Sequence, residues 1–314
     1  MHMSNCRSVG NRISLIDGFD LNLKERTGTY VIHEKELTLI ETGPSLSVPH
    51  ILEGLKELDI SSAQIRHIIV THIHLDHSGG LGLLLNDCIN ARVYVHPRGA
   101  RHLVDPSRLI KGAKAVYGDM FERLFTPILP VPEDKITTVE DGDELEIGPA
   151  CKLEFLHTPG HAAHHISILD PVTNGIFTGD TLGVRYEPLS REGIEFVLPS
   201  TSPNQFHPEQ MLQSLKRIRK KRVERIYFGH FSVSTDPEFV YSQINHWLPI
   251  FVEEGKMFAS ENKSYHELAD HLLGIIQRYL REKGIPDTHP VYEHIRVDLF
   301  LCSMGILEYL QKRT

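Results

Sequence analysis

The chain has 314 residues, 40% of them hydrophobic, which is enough to bury a sizeable core in one large domain or a domain with an appendage. A formal net charge of −8 argues against a polyanionic partner such as nucleic acid. No apolar run reaches transmembrane length, the start lacks signal-peptide order, and Cys6, Cys88, Cys151 and Cys302 form no CxxC pair; the expectation is a cytoplasmic protein with no membrane contact, disulfide framework or cysteine zinc site.

In chain order, Ile13 to Leu21, Thr29 to His33 and Leu37 to Ile40 read as strands with a turn at Glu34-Lys35-Glu36. Val48 to Leu58 reads as an amphipathic helix, and Gly79-Gly80 opens another through about Leu85. Ala91 to His96 is the next strand. Arg98 to Phe125 reads as an inserted helical segment, with Leu103, Leu109, Ala113, Val116 and Phe121 at helical spacing and Pro106 and Gly118 as punctuation. Strands return at Ile136 to Val139, Glu144 to Ile147 and Lys152 to Leu156. A hairpin follows from His165 to Leu169 and Gly175 to Phe177. Pro208 to Lys221 is a helix that feeds the strand Val223 to Phe228. From Pro237 onward the apolar spacing predicts three helices, Glu238 to Ser260, Ser264 to Lys283 and Pro290 to Gln311. The expected division is a domain over 1–236 and a helical extension over 237–314.

The segment Thr71-His72-Ile73-His74-Leu75-Asp76-His77-Ser78-Gly79-Gly80 follows the apolar run Ile68-Ile69-Val70. Extended backbone alternates faces, so His72 and His74 project to one side, while Asp76 and His77 lie where the chain turns and can point elsewhere. That arrangement suits two neighbouring metal ions better than one. An apolar strand running into a glycine turn that carries one His or Asp recurs three times. The instances are Thr158-Pro159-Gly160-His161, Thr178-Gly179-Asp180-Thr181 and Gly229-His230. A lone His after a strand is more often solvated or capped; three recurrences outweigh that reading.

The order His72-x-His74-x-Asp76-His77, then His161, Asp180 and His230, resembles the metallo-β-lactamase superfamily over roughly the first three quarters of the chain. The resemblance implies an α/β fold, a four-layer αβ/βα sandwich, here with a helical insertion and a C-terminal helical extension. It implies that His72, His74 and His161 hold one metal, that Asp76, His77 and His230 hold the other, and that Asp180 bridges them. Glu41-Thr42-Gly43 departs from the pattern, because many members carry Asp before the Thr-Gly, supporting the ligands from behind.

The expected cofactors are two divalent ions, zinc by default for a His-rich N/O set, with iron or manganese tolerated by the same residues. Such ions lower the pKa of bound water to about 7, so a metal-bridging hydroxide is the expected nucleophile for a small ester, thioester or lactone. Asp180 would fix the spacing of the ions and Asp76 could share in proton transfer. His164, His165, Arg185 and Tyr186 are candidate contacts to a small-molecule substrate. Phe177-Thr178-Gly179-Asp180-Thr181-Leu182 is similar to glyoxalase II enzymes, but Gly183 to Pro188 does not continue their glutathione-binding pattern. Lactonases share the metal motif with a shorter spacer before His161 and no comparable helical tail, so neither branch is selected.

Two alternatives stand beside this reading. The run from Lys216 to Arg222 suits an RNA- or DNA-processing nuclease or phosphodiesterase, though cations at a helix C-terminus also complement its dipole. An iron-dependent oxidoreductase resembling persulfide dioxygenases is the other; His74 stands where flavodiiron proteins usually place Glu. The C-terminal helices read first as a cap that completes the core; the functional reading makes them a wall of the substrate pocket or, together with the insertion, a homodimer contact, and these readings are not exclusive.

Overall fold

The structure, a computed structural model, describes residues 4–313. The chain divides into two compact units. The first takes the chain up to His157 with His164–Gly179 and Val223–Thr235; the second takes Thr158–Ala163, Asp180–Arg222 and the chain from Asp236 on.

Two sheets build the first unit. One has seven strands in chain order, β1 (Cys6–Ser8), β2 (Ile13–Asp17), β3 (Gly28–Ile32), β4 (Thr38–Ile40), β5 (His67–Ile69), β6 (Arg92–Val95) and β7 (Ile136–Thr138). Pairing is antiparallel from β1 to β4 and parallel from β4 to β7. Parallel neighbours need a crossover, which the helix Val48–Glu57 supplies between β4 and β5. The other sheet has six strands. Val233–Ser234 lies at one edge, followed by Arg225–Phe228, β11 (Gly175–Gly179), β10 (Ile166–Asp170), β9 (Cys151–His157) and β8 (Glu144–Gly148).

The two-residue period of the strands sorts the apolar side chains onto two faces. Ile13 and Leu15, Tyr30 and Ile32, Ile40, Ile69 and Tyr94 join Leu153, Phe155, Ile166, Ile168, Phe177 and Tyr227 of the second sheet in one buried cluster. Their alternates Ile16, Val31, Leu39, Ile68, Val70, Val93 and Val95 form another with Val48, Ile51, Leu55, Leu81, Leu84 and Leu103 from the helices. Both faces of the first sheet are therefore covered, as parallel pairing requires.

The second unit is mostly helical, with Pro208–Lys220, Pro237–Ser260, Tyr265–Glu282 and Val291–Gln311, and a two-stranded ribbon of Val184–Arg185 with Val197–Leu198. The helix from Tyr265 starts with a capping box between Ser264 and Glu267 and buries Leu268, Leu272, Leu273, Ile276 and Leu280 along one stripe. The three expected C-terminal helices are present to within one residue at each end. Among the described residues, no helix is long and apolar enough to cross a membrane.

One expected strand is cut short: Ile13 to Leu21 stops at Asp17. The Asp17 carboxylate accepts from Phe19 N at 3.0 Å and from Glu25 N at 2.9 Å, folding the chain back on itself. The inserted segment forms three short helices, Pro97–Val104, Ser107–Tyr117 and Phe121–Phe125. Phe121 and Phe125 pack with Leu75 of the ligand loop, so the insertion is anchored beside His74 and Asp76.

Candidate metal centre

Within the first unit, β4, β5, β11 and the strand Arg225–Phe228 end in loops that carry Glu41, the segment from His72 to His77, Gly179 and His230. The carboxyl ends of parallel strands are where α/β sheets commonly gather ligands. The two sheets are joined here by Ile166 N donating to Thr71 O at 2.8 Å. Gly179 lies at φ +46°, and a Cβ on it would collide with Thr71 Oγ1 and His165 Nε2. A Cβ on Gly229 would stand 2.7 Å from His77 Cε1. Glycine at both turns therefore lets backbone come close to imidazole.

The side chains converge as the alternation demands. His72 Nε2 and His74 Nδ1 lie 3.1 Å apart, with His72 Nδ1 3.0 Å from Thr71 Oγ1. Asp76 Oδ2 is 3.6 Å from His77 Nε2 and 3.5 Å from His230 Nε2. Donor atoms placed about 2.1 Å from a tetrahedral ion lie about 3.4 Å apart, so these separations fit a shared cation. The donor atoms of Asp76, His77 and His230 all fall within 4.8 Å of one another, and the same holds for Glu41, His72 and His77. Imidazole nitrogen with carboxylate oxygen suits zinc, iron or manganese.

Glu41 is buried, and its Oε1 accepts from Thr71 N at 3.3 Å and sits 3.7 Å from His77 Nδ1. That carboxylate faces the Nδ1 side of the ring, opposite the Nε2 that lies 3.6 Å from Asp76 Oδ2. The longer side chain thus still reaches the ligand loop. The His72 ring stacks with His165 at 5.0 Å and lies 6.2 Å from His164, both buried.

His230 is held by the turn that follows its strand. The Tyr30 hydroxyl lies 2.7 Å from both Phe228 O and Ser232 O, and Phe231 and Ser232 take φ of 60° and 73°. Tyr30→Phe withdraws the donor shared by these carbonyls. It should cost about 1 kcal/mol in denaturant unfolding and weaken metal retention; unchanged stability would show that the hydroxyl does not hold the turn.

In the second unit, His161 and Asp180 converge by themselves. His161 Nε2 lies 3.6 Å from Asp180 Oδ2, and His161 Nδ1 is 3.0 Å from Ser200 O. A carbonyl at Nδ1 fixes the tautomer that leaves Nε2 as a ligand. The Ser200 hydroxyl donates to Asp180 Oδ2 at 2.9 Å, and Thr181 Oγ1 ties the Asp180 loop to Thr158 O at 2.8 Å. Gly160 takes φ +135° with Met211 backbone where a Cβ would stand.

Residues 26–230 match the family model described as the metallo-beta-lactamase superfamily. The chain belongs to that superfamily. A metallo-beta-lactamase fold-containing protein of Sulfurisphaera tokodaii is 30% identical over 205 residues, 64% of this chain and 71% of that protein. A hydroxyacylglutathione hydrolase of Idiomarina loihiensis is 27% identical over 236 residues, 72% of this chain and 71% of that protein. Among solved structures, a metallo-beta-lactamase family protein of Thermus thermophilus aligns with a TM-score of 0.67 at 19% identity, over 98% of this chain and 95% of that one. The chain therefore has the metallo-β-lactamase fold, an α/β fold with a C-terminal helical extension. Membership of the superfamily together with the His and carboxylate groups supports a metal-dependent hydrolase.

Within this metallo-β-lactamase fold, Arg185 and Tyr186 are engaged in their own unit. Arg185 pairs with Glu187 and, through Nε and Nη2, with both oxygens of Glu195 at 3.0 and 2.8 Å; Tyr186 OH donates to Asp298 Oδ2 at 2.8 Å. Sequence reasoning missed Tyr30, whose role comes from a strand distant in sequence, and Ser200, whose carbonyl any residue would supply but whose hydroxyl reaches Asp180 from 20 residues away in the chain.

Among the described residues, no cysteine belongs to the groups that could hold a metal ion. Burial pushes the thiols of Cys88 and Cys302 up to about 12 and that of Cys151 to about 11, so none is a thiolate at neutral pH. A variant with all four cysteines changed to Ser or Ala should keep its full metal content by elemental analysis. Loss of metal in a folded single-cysteine variant would reveal a thiolate ligand.

Proposed function

We propose that the chain is a dinuclear metal-dependent hydrolase of a small ester, thioester or lactone. In this reading His72, His74 and His161 hold one ion, Asp76, His77 and His230 hold the second, and Asp180 bridges them. The observation that carries it is the pair of convergent donor groups in the first unit, His72 with His74 at 3.1 Å and Asp76 with His230 at 3.5 Å. Zinc is the first choice of metal, with iron or manganese compatible. The relative named hydroxyacylglutathione hydrolase supports an acyl substrate.

Bound divalent ions supply Lewis acidity toward the scissile carbonyl and an ionised water near neutral pH. The protein's own part is orientation. Glu41 sets the His77 ring, Ser200 O sets the His161 tautomer, and the Ser200 hydroxyl holds one oxygen of Asp180 in place. Asp76, about 19% exposed at its side chain against 4% for Asp180, is the more open of the two ligand carboxylates and is proposed to take a proton from the attacking water and return it to the leaving group. His164 and His165, packed against His72, are proposed to line the acyl position. The proposed boundary near residue 236 leaves the last three helices as an extension, and four free cysteines suit a reducing compartment.

A panel of thioesters, lactones, carboxylic esters and phosphodiesters tests this reading, with Asp180→Ala as the blank. Turnover of acyl substrates alone is the expected result. Turnover of phosphodiesters alone would replace it with a nuclease-like assignment.

A further inference from the structure

The loop between β2 and β3 is strained. Phe19, Leu21, Asn22 and Glu25 take φ of 47°, 55°, 60° and 60°, a region that is costly for residues other than glycine. Besides the two bonds to Asp17, Gly18 N donates to Thr27 O at 2.9 Å and Ser47 Oγ donates to Gly18 O at 2.6 Å. Such strain persists only where surroundings over-determine it, and it collects at functional sites. The loop ends against the turn that carries His230. Gly28 N reaches Gly229 O at 3.4 Å, and a Cβ on Gly28 would stand 3.2 Å from Phe231 Cδ2.

Inside the loop lies an ion pair, Arg26 Nε to Asp20 Oδ2 at 3.2 Å, with the residues 3% and 2% exposed. Asp20 Oδ1 is also buried and accepts no hydrogen bond from the described residues. Burial pushes the Asp20 carboxyl up to about 6 against the pull of Arg26; the other charges that reach it are Asp76, His230 and His77. A buried pair is weak support for stability, since apolar replacements are often neutral. Its place in a loop that ends against the His230 turn offers another explanation. A divalent cation on Asp76, His77 and His230 would bring positive charge there, and Asp20 is a further carboxylate, beside Glu41, whose charge reaches that group.

We propose that Asp20, oriented by Arg26, is a positioning residue that strengthens cation uptake at Asp76, His77 and His230 without ligating the ion. This rests on the reading that those three residues hold a divalent cation. The test is Co2+ titration of the chelator-stripped full-length chain, followed by visible absorption, with His230→Ala identifying the uptake step concerned. Asp20→Asn keeps the side-chain shape and removes the charge. It should weaken that step about ten-fold, the lower range for outer carboxylates around metal sites, with the Co2+ bands unchanged.

The double variant Asp20→Asn with Arg26→Met leaves no stranded charge and should be weakened in the same direction. Wild-type affinity in the double variant would assign the effect to the stranded guanidinium and overturn the proposal. Wild-type affinity in folded Asp20→Asn would overturn it too, and altered bands would make Asp20 a ligand. If the wild type takes up no Co2+, or His230→Ala takes up as much as wild type, the cation centre itself fails.

Discussion

Changing either His72 or His161 to Ala should lower activity by about 10³-fold, because several kcal/mol of charge stabilisation are lost at about 1.36 kcal/mol per factor of ten. The two residues are proposed to serve one cation. If they do, the double variant should be no worse than either single one, since parts of one device are not additive. His72 gives up its place at 3.1 Å from His74, and His161 its place at 3.6 Å from Asp180, so each loss should also release metal. Kinetics with elemental analysis of the three variants checks this. Additive losses in activity, or a His161→Ala protein with full metal and full turnover, would separate His161 from the ion held by His72 and His74.

The second large effect concerns selectivity. The helix Pro97–Val104 places Leu103 in the main core, and Phe121 and Phe125 cover Leu75, so cutting all of residues 98–125 would disturb the ligand loop. The helix Ser107–Tyr117 between them has no fully buried residue. Replacing residues 107–117 by a short Gly-Ser linker should leave metal content unchanged. If the helix selects acyl groups, the chain-length preference should flatten by about 0.8 kcal/mol per methylene, close to four-fold in kcat/KM. An unaltered acyl-length profile in the folded variant would make the helix a packing or oligomer element instead.

The ligand loop was legible because its chemistry is local. Alternation put His72 and His74 on one side, and their nitrogens meet at 3.1 Å. The C-terminal helices were legible for a similar reason, since a stripe such as Leu268, Leu272, Ile276 and Leu280 specifies its own period. The loop after β2 was not. Its sequence continues the apolar pattern to Leu21, while the turn is dictated by Asp17 holding the backbone of Glu25. The Asp20–Arg26 pair left no signal because nothing in its spacing distinguishes it from exposed charges. Glu41 departs from the Asp that many members carry. Its carboxylate nevertheless reaches Thr71 N and lies 3.7 Å from His77 Nδ1.

The number of ions per chain tests the proposed two-ion centre bridged by Asp180 most directly. Elemental analysis should be run on wild type and on Asp180→Ala, both purified without chelator and verified as folded by circular dichroism. The account predicts close to two divalent ions per chain in the wild type and a clear loss in Asp180→Ala. A wild type saturating at one ion, or an Asp180→Ala variant that keeps the full complement, would contradict it.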